Sequence, residues 1–300
     1  MEYLFLSIAL IANITKGYSG KKVSTYISGY SDAALSNFIR MLICAAVGLV
    51  LSLVQAGSFF NETSVTTILC ALLSGVATSS FIVSWIISIQ RGAFVTTDIF
   101  LTLGVGLTIA LSSAFLGEKV KLTQIIGFVI LVAAAYVICS YNISIKGKMS
   151  FGSFMLLLVC GASNGLADFA QKIFVKKVEG ESVAAFNFYS YVFSAITLFI
   201  IYLVFRAGKK SEEKSVFSTP HAKKVLLHVS LMAVLLFVVS YFKTLAAARL
   251  DAALLYPLNQ GATLILSMTL AAVCFKEKIT LRSVIGIILA FIALVMINVL

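Results

Sequence analysis

Six ionisable side chains stand inside long apolar stretches of this 300-residue sequence. They are Lys16, Arg40, Asp98, Asp168, Lys172 and Lys243. A charged group inside a membrane span is costly, and it usually marks an ionic partner, a water-filled cavity or the path of a charged solute. Because both signs occur, the chemistry that these side chains suggest is ionic pairing and the binding of a charged solute within a membrane.

The composition around these charges is that of a membrane protein. Hydrophobic residues make up 60% of the chain and charged residues only 12%, against about 25% charged residues in soluble domains. Apolar stretches of about 20 residues, the length that crosses a bilayer, recur along the chain. The formal net charge of +11 does not indicate nucleic-acid binding, because the basic residues lie mainly in short links between apolar segments.

Apolar runs and polar breaks divide the chain into ten predicted transmembrane helices. Their predicted bounds are 3–25, 32–54, 66–89, 93–115, 121–141, 151–174, 182–205, 225–248, 252–273 and 280–299. The links are short except for 206–224, between the seventh helix and the eighth. We therefore expect an all-α integral membrane protein surrounded by the lipid bilayer.

One short sequence occurs twice. FLGEKVKLTQIIGF follows the fourth predicted helix, and CFKEKITLRSVIGI follows the ninth. The same spacing aligns Glu118 with Glu277 and Gly127 with Gly286. A second pair, ALSNF in helix two and AAFNF in helix seven, extends this register along the chain.

This register predicts two repeats of five helices, residues 1–145 and 146–300. Because five is odd, the second repeat must enter the membrane from the opposite side. The expected architecture is a 5+5 inverted repeat, which many transporters use to open alternately to either face.

With these motifs, and with Pro257 in LLYPLNQG of helix nine, the chain resembles the EamA-type drug/metabolite transporters. The resemblance implies the ten-helix fold and transport of a small metabolite through a cavity between the two halves. Two departures concern the substrate. Asp98 stands in helix four where the repeat has Pro257, and Lys16-Gly17 stands in helix one where the family often has Trp-Gly.

The repeated motif residues favour a structural role over direct contact with a substrate. The Glu-Lys pairs lie at the membrane surface, where one helix ends and the next begins, and the glycines allow close helix approach. The residues assigned to this structural motif are Glu118, Gly127, Pro257, Glu277 and Gly286.

The intramembrane charges fall at two depths. Taking the face that bears the N-terminus as face A and the opposite face as face B, Arg40 and Asp98 lie toward face B. Asp168 and Lys243 lie toward face A, as does Lys172. We hypothesise that Arg40, Asp98, Asp168 and Lys243 form two latches for gating or coupling, with plain structural pairing as the alternative. For Lys172 the alternative is pairing with Asp168 one turn away, with its ammonium extended to the interface.

A further set of polar side chains is predicted to bind the substrate. Lys16 has no acid at its depth, which favours a position in a wet cavity where it binds an anionic group. The set comprises Lys16, Trp85, Thr97, Asp98, Tyr256, Asn259 and Gln260. The alternatives are interhelical hydrogen bonding for hydroxyls and interface anchoring for tyrosines. A small polar substrate, anionic or zwitterionic, is expected.

Other classes of function have less support. Neither H-E-x-x-H nor G-x-S-x-G occurs, and no P-loop is present, so we expect neither an enzyme nor direct use of ATP. The two histidines lack carboxylates or thiols at ligand spacing, so neither a metal nor a cofactor is expected. The preferred function is a secondary transporter in a bacterial plasma membrane, as monomer or homodimer. The alternative is a lipid-linked carrier or flippase of the same fold.

The distribution of basic residues predicts an orientation. Most of the 23 Lys and Arg residues lie in links at face B. The positive-inside rule therefore places face B in the cytoplasm and both termini outside. Relatives of the family are usually drawn the other way round, so charge and resemblance favour opposite orientations.

Overall fold

The computed structural model describes residues 2–27, 29–56, 63–90, 94–146, 150–178, 180–207, 216–275 and 281–299. Within these ranges the chain forms ten α-helices and a single 3-10 turn, Val216–Ser218. The helices are α1 (Glu2–Ser24), α2 (Gly29–Ala56), α3 (Val65–Gln90), α4 (Phe94–Leu116), α5 (Leu122–Lys146), α6 (Phe151–Lys177), α7 (Val183–Ala207), α8 (Ala222–Ala247), α9 (Ala252–Phe275) and α10 (Leu281–Val299). Each predicted helix is present, with ends shifted by a few residues.

Five of the helices are long and apolar enough in their described residues to cross a membrane. These stretches are Ser31–Val54, Val65–Ser88, Phe151–Lys177, Val183–Ala207 and Ala222–Ala247. Shorter apolar stretches lie in α4, α5 and α10. Because a helix satisfies its own backbone hydrogen bonds, such segments can enter the hydrocarbon without exposing unpaired polar groups.

The burial pattern is the reverse of that in a soluble domain. Large apolar side chains such as Val54 and Phe151 are exposed on the outside of the bundle. Arg40, Asp168 and Lys172 are buried inside it. An apolar outer surface around buried charges is the arrangement expected in lipid, where an outward-facing charge would lose its hydration.

The contacts between helices follow the repeat. For the main helix pairs, replacing each helix of a contact by its counterpart in the other half, five helices earlier or later in the chain, again gives an observed contact. Helix α2 packs against α7 and α5 against α10, so these pairs map onto themselves. The contact of α3 with α6 corresponds to that of α8 with α1, and the contact of α3 with α7 to that of α8 with α2. The two halves therefore share one packing plan.

Individual side chains repeat in the same way. Asn37 on α2 is buried and donates from Nδ2 to the carbonyl four residues earlier, over 2.7 Å. Asn187 on α7 is buried and makes the equivalent bond over 2.9 Å. These residues are the asparagines of ALSNF and AAFNF, so the sequence repeat corresponds to a repeated local structure.

Glycines bring α4 and α6 into backbone contact. A Cβ atom at Gly161 would collide with the carbonyl of Phe100, and one at Gly104 with the carbonyl of Gly161. A Cβ at Gly165 would in turn meet the carbonyl of Gly104, and Thr108 donates from Oγ1 to the Gly165 carbonyl over 2.9 Å. Small residues at such a crossing allow close packing and an interhelical hydrogen bond without help from the hydrophobic effect.

The motif glycine of the first repeat has the packing role predicted for it. A Cβ at Gly127 on α5 would lie 2.7 Å from Ile297 Cγ1 and 3.1 Å from the carbonyl of Ala293, both on α10. Only a residue without a side chain allows α5 and α10 to approach this closely. Its counterpart Gly286 is buried on α10.

Candidate functional site

Asp168 and Lys243 form an ion pair in the interior of the bundle. Lys243 Nζ on α8 lies 2.5 Å from Asp168 Oδ1 on α6, and both side chains are largely buried. The hydroxyl of Tyr256 on α9 donates to the main-chain carbonyl of Asp168 over 2.7 Å. Lys243 Nζ also lies 5.9 Å from the centre of the Tyr256 ring. Three helices of the second half thus converge on one charged group, and the depth argument correctly placed Asp168 and Lys243 together.

One cation of the first half lies close to this pair, and a second lies close to that cation. Lys16 on α1 is within electrostatic range of Arg40 on α2 and of Lys243. Lys16, Arg40 and Lys243 are hereafter called the basic cluster. It brings together residues distant in the sequence and spans the contact between the halves.

Lys16 faces the interior of the bundle. Its side chain is half-buried, and its charged neighbours are Arg40 and Lys243. A Cβ atom built on the next residue, Gly17, would meet nothing within 4 Å. The cavity position and the binding role expected for Lys16 stay predictions.

Arg40 is buried more completely, with 4% of its surface exposed. Among the described side chains, the thiol of Cys44 and the phenol of Tyr191 on α7 are within electrostatic range of Arg40. Among the residues that the structure describes, its Nε is buried and has no hydrogen-bond partner. A buried guanidinium without an acceptor is costly, and therefore marks a position where a partner is expected.

Lys172 does not pair as the sequence suggested. The expected contact with Asp168, one turn away on α6, is wrong, because Asp168 binds Lys243 while Lys172 Nζ lies 3.0 Å from Glu118 Oε1. Its ammonium also does not extend to the interface, since the residue is fully buried. It donates instead to the carbonyls of Ala247, over 3.0 Å, and Leu250.

Glu118 joins the two repeats at one end of the bundle. It lies in the link between α4 and α5, directly after Gly117, whose φ of 67° favours glycine. Its Oε2 accepts a hydrogen bond of 2.7 Å from the backbone N–H of Ala252, the first residue of α9. A carboxylate at a helix N-terminus satisfies a free N–H and complements the helix dipole. The structural role predicted for Glu118 agrees with these contacts.

More exposed ion pairs surround Glu118. Lys176 Nζ lies 3.4 Å from Glu118 Oε1 and 3.6 Å from Asp251 Oδ1. Nearby, Arg249 lies 3.9 Å from Glu2, the first residue of α1. Together with the Glu118–Lys172 pair these contacts tie α1, the α4–α5 link, α6 and the α8–α9 turn together at face A. This set of contacts is called the face-A network.

The remaining predicted binding residues are spread over α3, α4 and α9. Trp85 is half-buried and packs beside Gly20 and Met232, in an apolar cluster between α1, α3 and α8. Thr97 is buried on α4, Gln260 is buried on α9 and Asn259 is half-buried beside it. Their roles in substrate binding stay predictions.

Three other predictions concern α4, α9 and the link that follows α9. Pro257 is buried within α9, as the sequence suggested. The side chain of Asp98 and the whole of Glu277 lie outside the described residues, so the pairing of Arg40 with Asp98 stays a prediction. The structural role assigned to Glu277 is likewise a prediction from its alignment with Glu118.

Several contacts had no signal in the sequence alone. In the sequence the whole of α5 and most of α6 lie between Glu118 and Lys172, and no partner was assigned to either the α8–α9 turn or Ser79. Ser79 on α3 shares a hydrogen bond of 2.8 Å with Ser194 on α7. The repeat register equates α3 with α8 and α2 with α7, and it does not indicate these contacts.

Fold and site together define a multi-pass helical membrane protein with charged groups between two equivalent halves. The model of the EamA-like transporter family matches residues 4–140 and 151–299. The chain belongs to this family, which consists of membrane transporters of the drug/metabolite superfamily, and it contains two copies of the family's repeat. No curated protein sequence matches the chain.

Solved structures support the fold independently. A protein whose crystal structure carries no functional description aligns with 99% of this chain and 96% of its own, with a TM-score of 0.75. The two sequences are 15% identical. At that identity the likeness shows a shared fold and does not extend to the substrate.

Proposed function

We propose that this protein is a secondary transporter that moves a small polar metabolite, anionic or zwitterionic, across a bacterial plasma membrane. It works by alternating access, with the substrate held in a central cavity between two inverted five-helix halves, residues 1–145 and 146–300. The observation that carries the proposal is the basic cluster with the Asp168–Lys243 pair. It places charged side chains from both halves at one buried location in a bundle with an apolar exterior.

The face-A network supports the alternating-access part of the proposal. It ties the α4–α5 link of the first half to α6 and the α8–α9 turn of the second half through buried and surface ion pairs. We propose that this network closes face A, and that opening it requires Glu118 to leave Lys172 and the N-terminus of α9. Bistable contacts of this kind, rather than gradual bending, usually separate two transporter states.

The binding role of the central polar residues follows from the same arrangement. Lys16 borders open space, while Asn259 and Gln260 follow the buried Pro257 on α9. A proline within a helix frees the carbonyl of the preceding turn, and such backbone is tolerated in a membrane where it lines a polar cavity. We assign the substrate to the part of α9 that contains Asn259 and Gln260. Tyr256 and the Asp168–Lys243 pair then lie toward face A.

Reconstitution tests the transport function directly. The purified protein is incorporated into lipid vesicles, and uptake of amino acids, carboxylates, phosphate esters, sugars and amines is measured by mass spectrometry against empty vesicles. Saturable uptake of at least one small polar solute is expected, and it should not require ATP. Movement of a fluorescent lipid between leaflets, with no solute uptake, would instead identify the flippase alternative and overturn the proposal.

A further inference from the structure

The interior charges do not balance within the part of the chain that the structure describes. Lys243 is neutralised by Asp168 at 2.5 Å. Arg40 is buried, with 4% of its surface exposed, and its Nε has no hydrogen-bond partner among the described residues. Leaving a buried charge uncompensated is strongly destabilising. Such a charge is retained where its partner is a ligand or an acid on another helix, and Asp98, whose side chain lies outside the described residues, is the alternative partner of Arg40.

The geometry of Arg40 indicates what kind of partner is missing. Its buried Nε carries no hydrogen bond, and a guanidinium that offers Nε together with a terminal nitrogen binds two oxygens of one planar or tetrahedral oxyanion. The groups around it are the thiol of Cys44 and the phenol of Tyr191. These two are already engaged, since Cys44 donates to the Ala233 carbonyl over 3.2 Å and Tyr191 to that of Leu236 over 3.3 Å.

Lys16 adds a second positive charge to the same location. It lies within electrostatic range of Arg40 and beside the open space at Gly17. Two cations that approach one another without an acid between them repel, and an anion placed between them removes that repulsion. A lysine contributes a mobile point charge, whereas arginine fixes the orientation of the oxyanion.

We propose that Arg40 and Lys16 form an oxyanion-binding site that holds a carboxylate or phosphate group of the transported solute. This inference rests on the proposed transport function and names the chemical class of its substrate. Arg40 orients the oxyanion through its paired N–H groups, and Lys16 neutralises it from the open side. The Asp168–Lys243 pair borders the site, and its lysine adds to the positive potential there.

Thermal unfolding of the purified protein in detergent separates a ligand site from a structural role. Arg40→Gln removes an unpaired buried charge, so we expect its melting temperature without ligand to rise above that of the wild type, as at other destabilised functional sites. The matched control is Arg282→Gln, at an exposed position in the first turn of α10, which should leave the melting temperature unchanged. A fall in the melting temperature of Arg40→Gln would show that Arg40 has a structural partner, and would overturn the inference.

Ligand binding is measured with defined probes on the same variants. Succinate and glycerol 3-phosphate serve as the carboxylate and phosphate probes, with glucose, putrescine and L-alanine as neutral, cationic and zwitterionic comparisons. We expect one or both anions to raise the melting temperature of the wild type, and their affinity to fall about 10- to 100-fold in Arg40→Gln. Arg40→Lys should bind the anions with intermediate affinity, because it keeps the positive charge but loses the planar guanidinium that holds two oxygens at once.

Lys16 is tested in the same way against a control on its own helix. Lys16→Gln should weaken anion binding about tenfold, whereas Lys22→Gln, on an exposed position of α1, should bind as the wild type does. Equal anion affinity in wild type, Arg40→Gln and Lys16→Gln would overturn the inference. Stabilisation by glucose or putrescine, without any effect of the two anions or of L-alanine, which also carries a carboxylate, would do the same.

Uptake of the same probes into vesicles keeps this inference distinct from the transport proposal. If the wild type transports putrescine or glucose and neither anion, the oxyanion site is refuted and the transport function stands. If the anions bind through Arg40 but none is transported, the site stands and the transport function is refuted. Anion uptake that is lost in Arg40→Gln supports both.

Discussion

Lys172 Nζ lies 3.0 Å from Glu118 Oε1, and both side chains are almost completely buried. The pair joins the link after α4 in the first repeat to α6 in the second. It is supported by the hydrogen bond from the Ala252 N–H to Glu118 and by two carbonyls that accept from Lys172. A motif that the sequence repeats is therefore a connection between the halves in this structure.

Removing one charge of this pair should destabilise the protein strongly. In Glu118→Gln the ammonium of Lys172 remains buried without its counterion, so we expect a loss of about 3 kcal/mol in the free energy of unfolding. Circular dichroism during thermal unfolding in detergent measures the change. The matched control is Lys119→Gln, since Lys119 is an exposed neighbour in the same link. This variant should have the melting temperature of the wild type.

The double variant Glu118→Gln with Lys172→Met completes the test of this pair. Because it removes both charges, it should be more stable than Glu118→Gln alone. If the two single effects simply add in the double variant, the two residues are not coupled and the assignment of the ion pair is wrong.

The Asp168–Lys243 pair is expected to affect transport as well as stability. Asp168→Asn leaves Lys243 near Lys16 without its neutralising carboxylate, and we expect both the unfolding free energy and the uptake rate to fall, the latter about tenfold or more. Asp168→Asn combined with Lys243→Met should recover stability and leave transport impaired. Full uptake in the double variant would show that the pair serves packing alone and has no gating role.

The glycine contact between α4 and α6 should tolerate no side chain. Gly161→Ala places a methyl group against the carbonyl of Phe100, and overpacking of this kind costs about 1–3 kcal/mol. Gly152→Ala is the control on the same helix, because a Cβ at Gly152 meets nothing within 4 Å. We expect a lower melting temperature for Gly161→Ala only, and equal melting of the two variants would contradict the close packing of α4 on α6.

The orientation in the membrane can be tested with two single cysteines in a background without the native ones. Ala207 at the end of α7 and Lys177 at the end of α6 are both exposed and lie at opposite faces of the proposed topology. The charge distribution predicts that a membrane-impermeant maleimide labels Lys177→Cys in intact cells but not Ala207→Cys. The reverse pattern would place the termini in the cytoplasm, as in the usual drawing of the family.

Much of the architecture could be predicted from the sequence because the signals for it are local. A helix in lipid must be long, apolar and internally hydrogen-bonded, so each of the ten helices is visible as an apolar run. The two copies of the Glu-Lys motif and the paired asparagines Asn37 and Asn187 supplied the repeat register. The same register gave the depth of Asp168 and Lys243, which meet in the structure.

The ionic partners of Glu118 and Lys172, and the surroundings of Arg40, were decided by the tertiary structure alone. Depth along a helix follows from residue number, but the direction in which a side chain points depends on the rotation of the helix about its axis. That rotation is set by packing against neighbouring helices. The rotation of α6 directs Lys172 toward the α4–α5 link and Asp168 toward α8, while that of α2 turns Arg40 inward beside Tyr191. The sequence thus determined that charges lie within the membrane, and packing determined which of the described charges pair with one another.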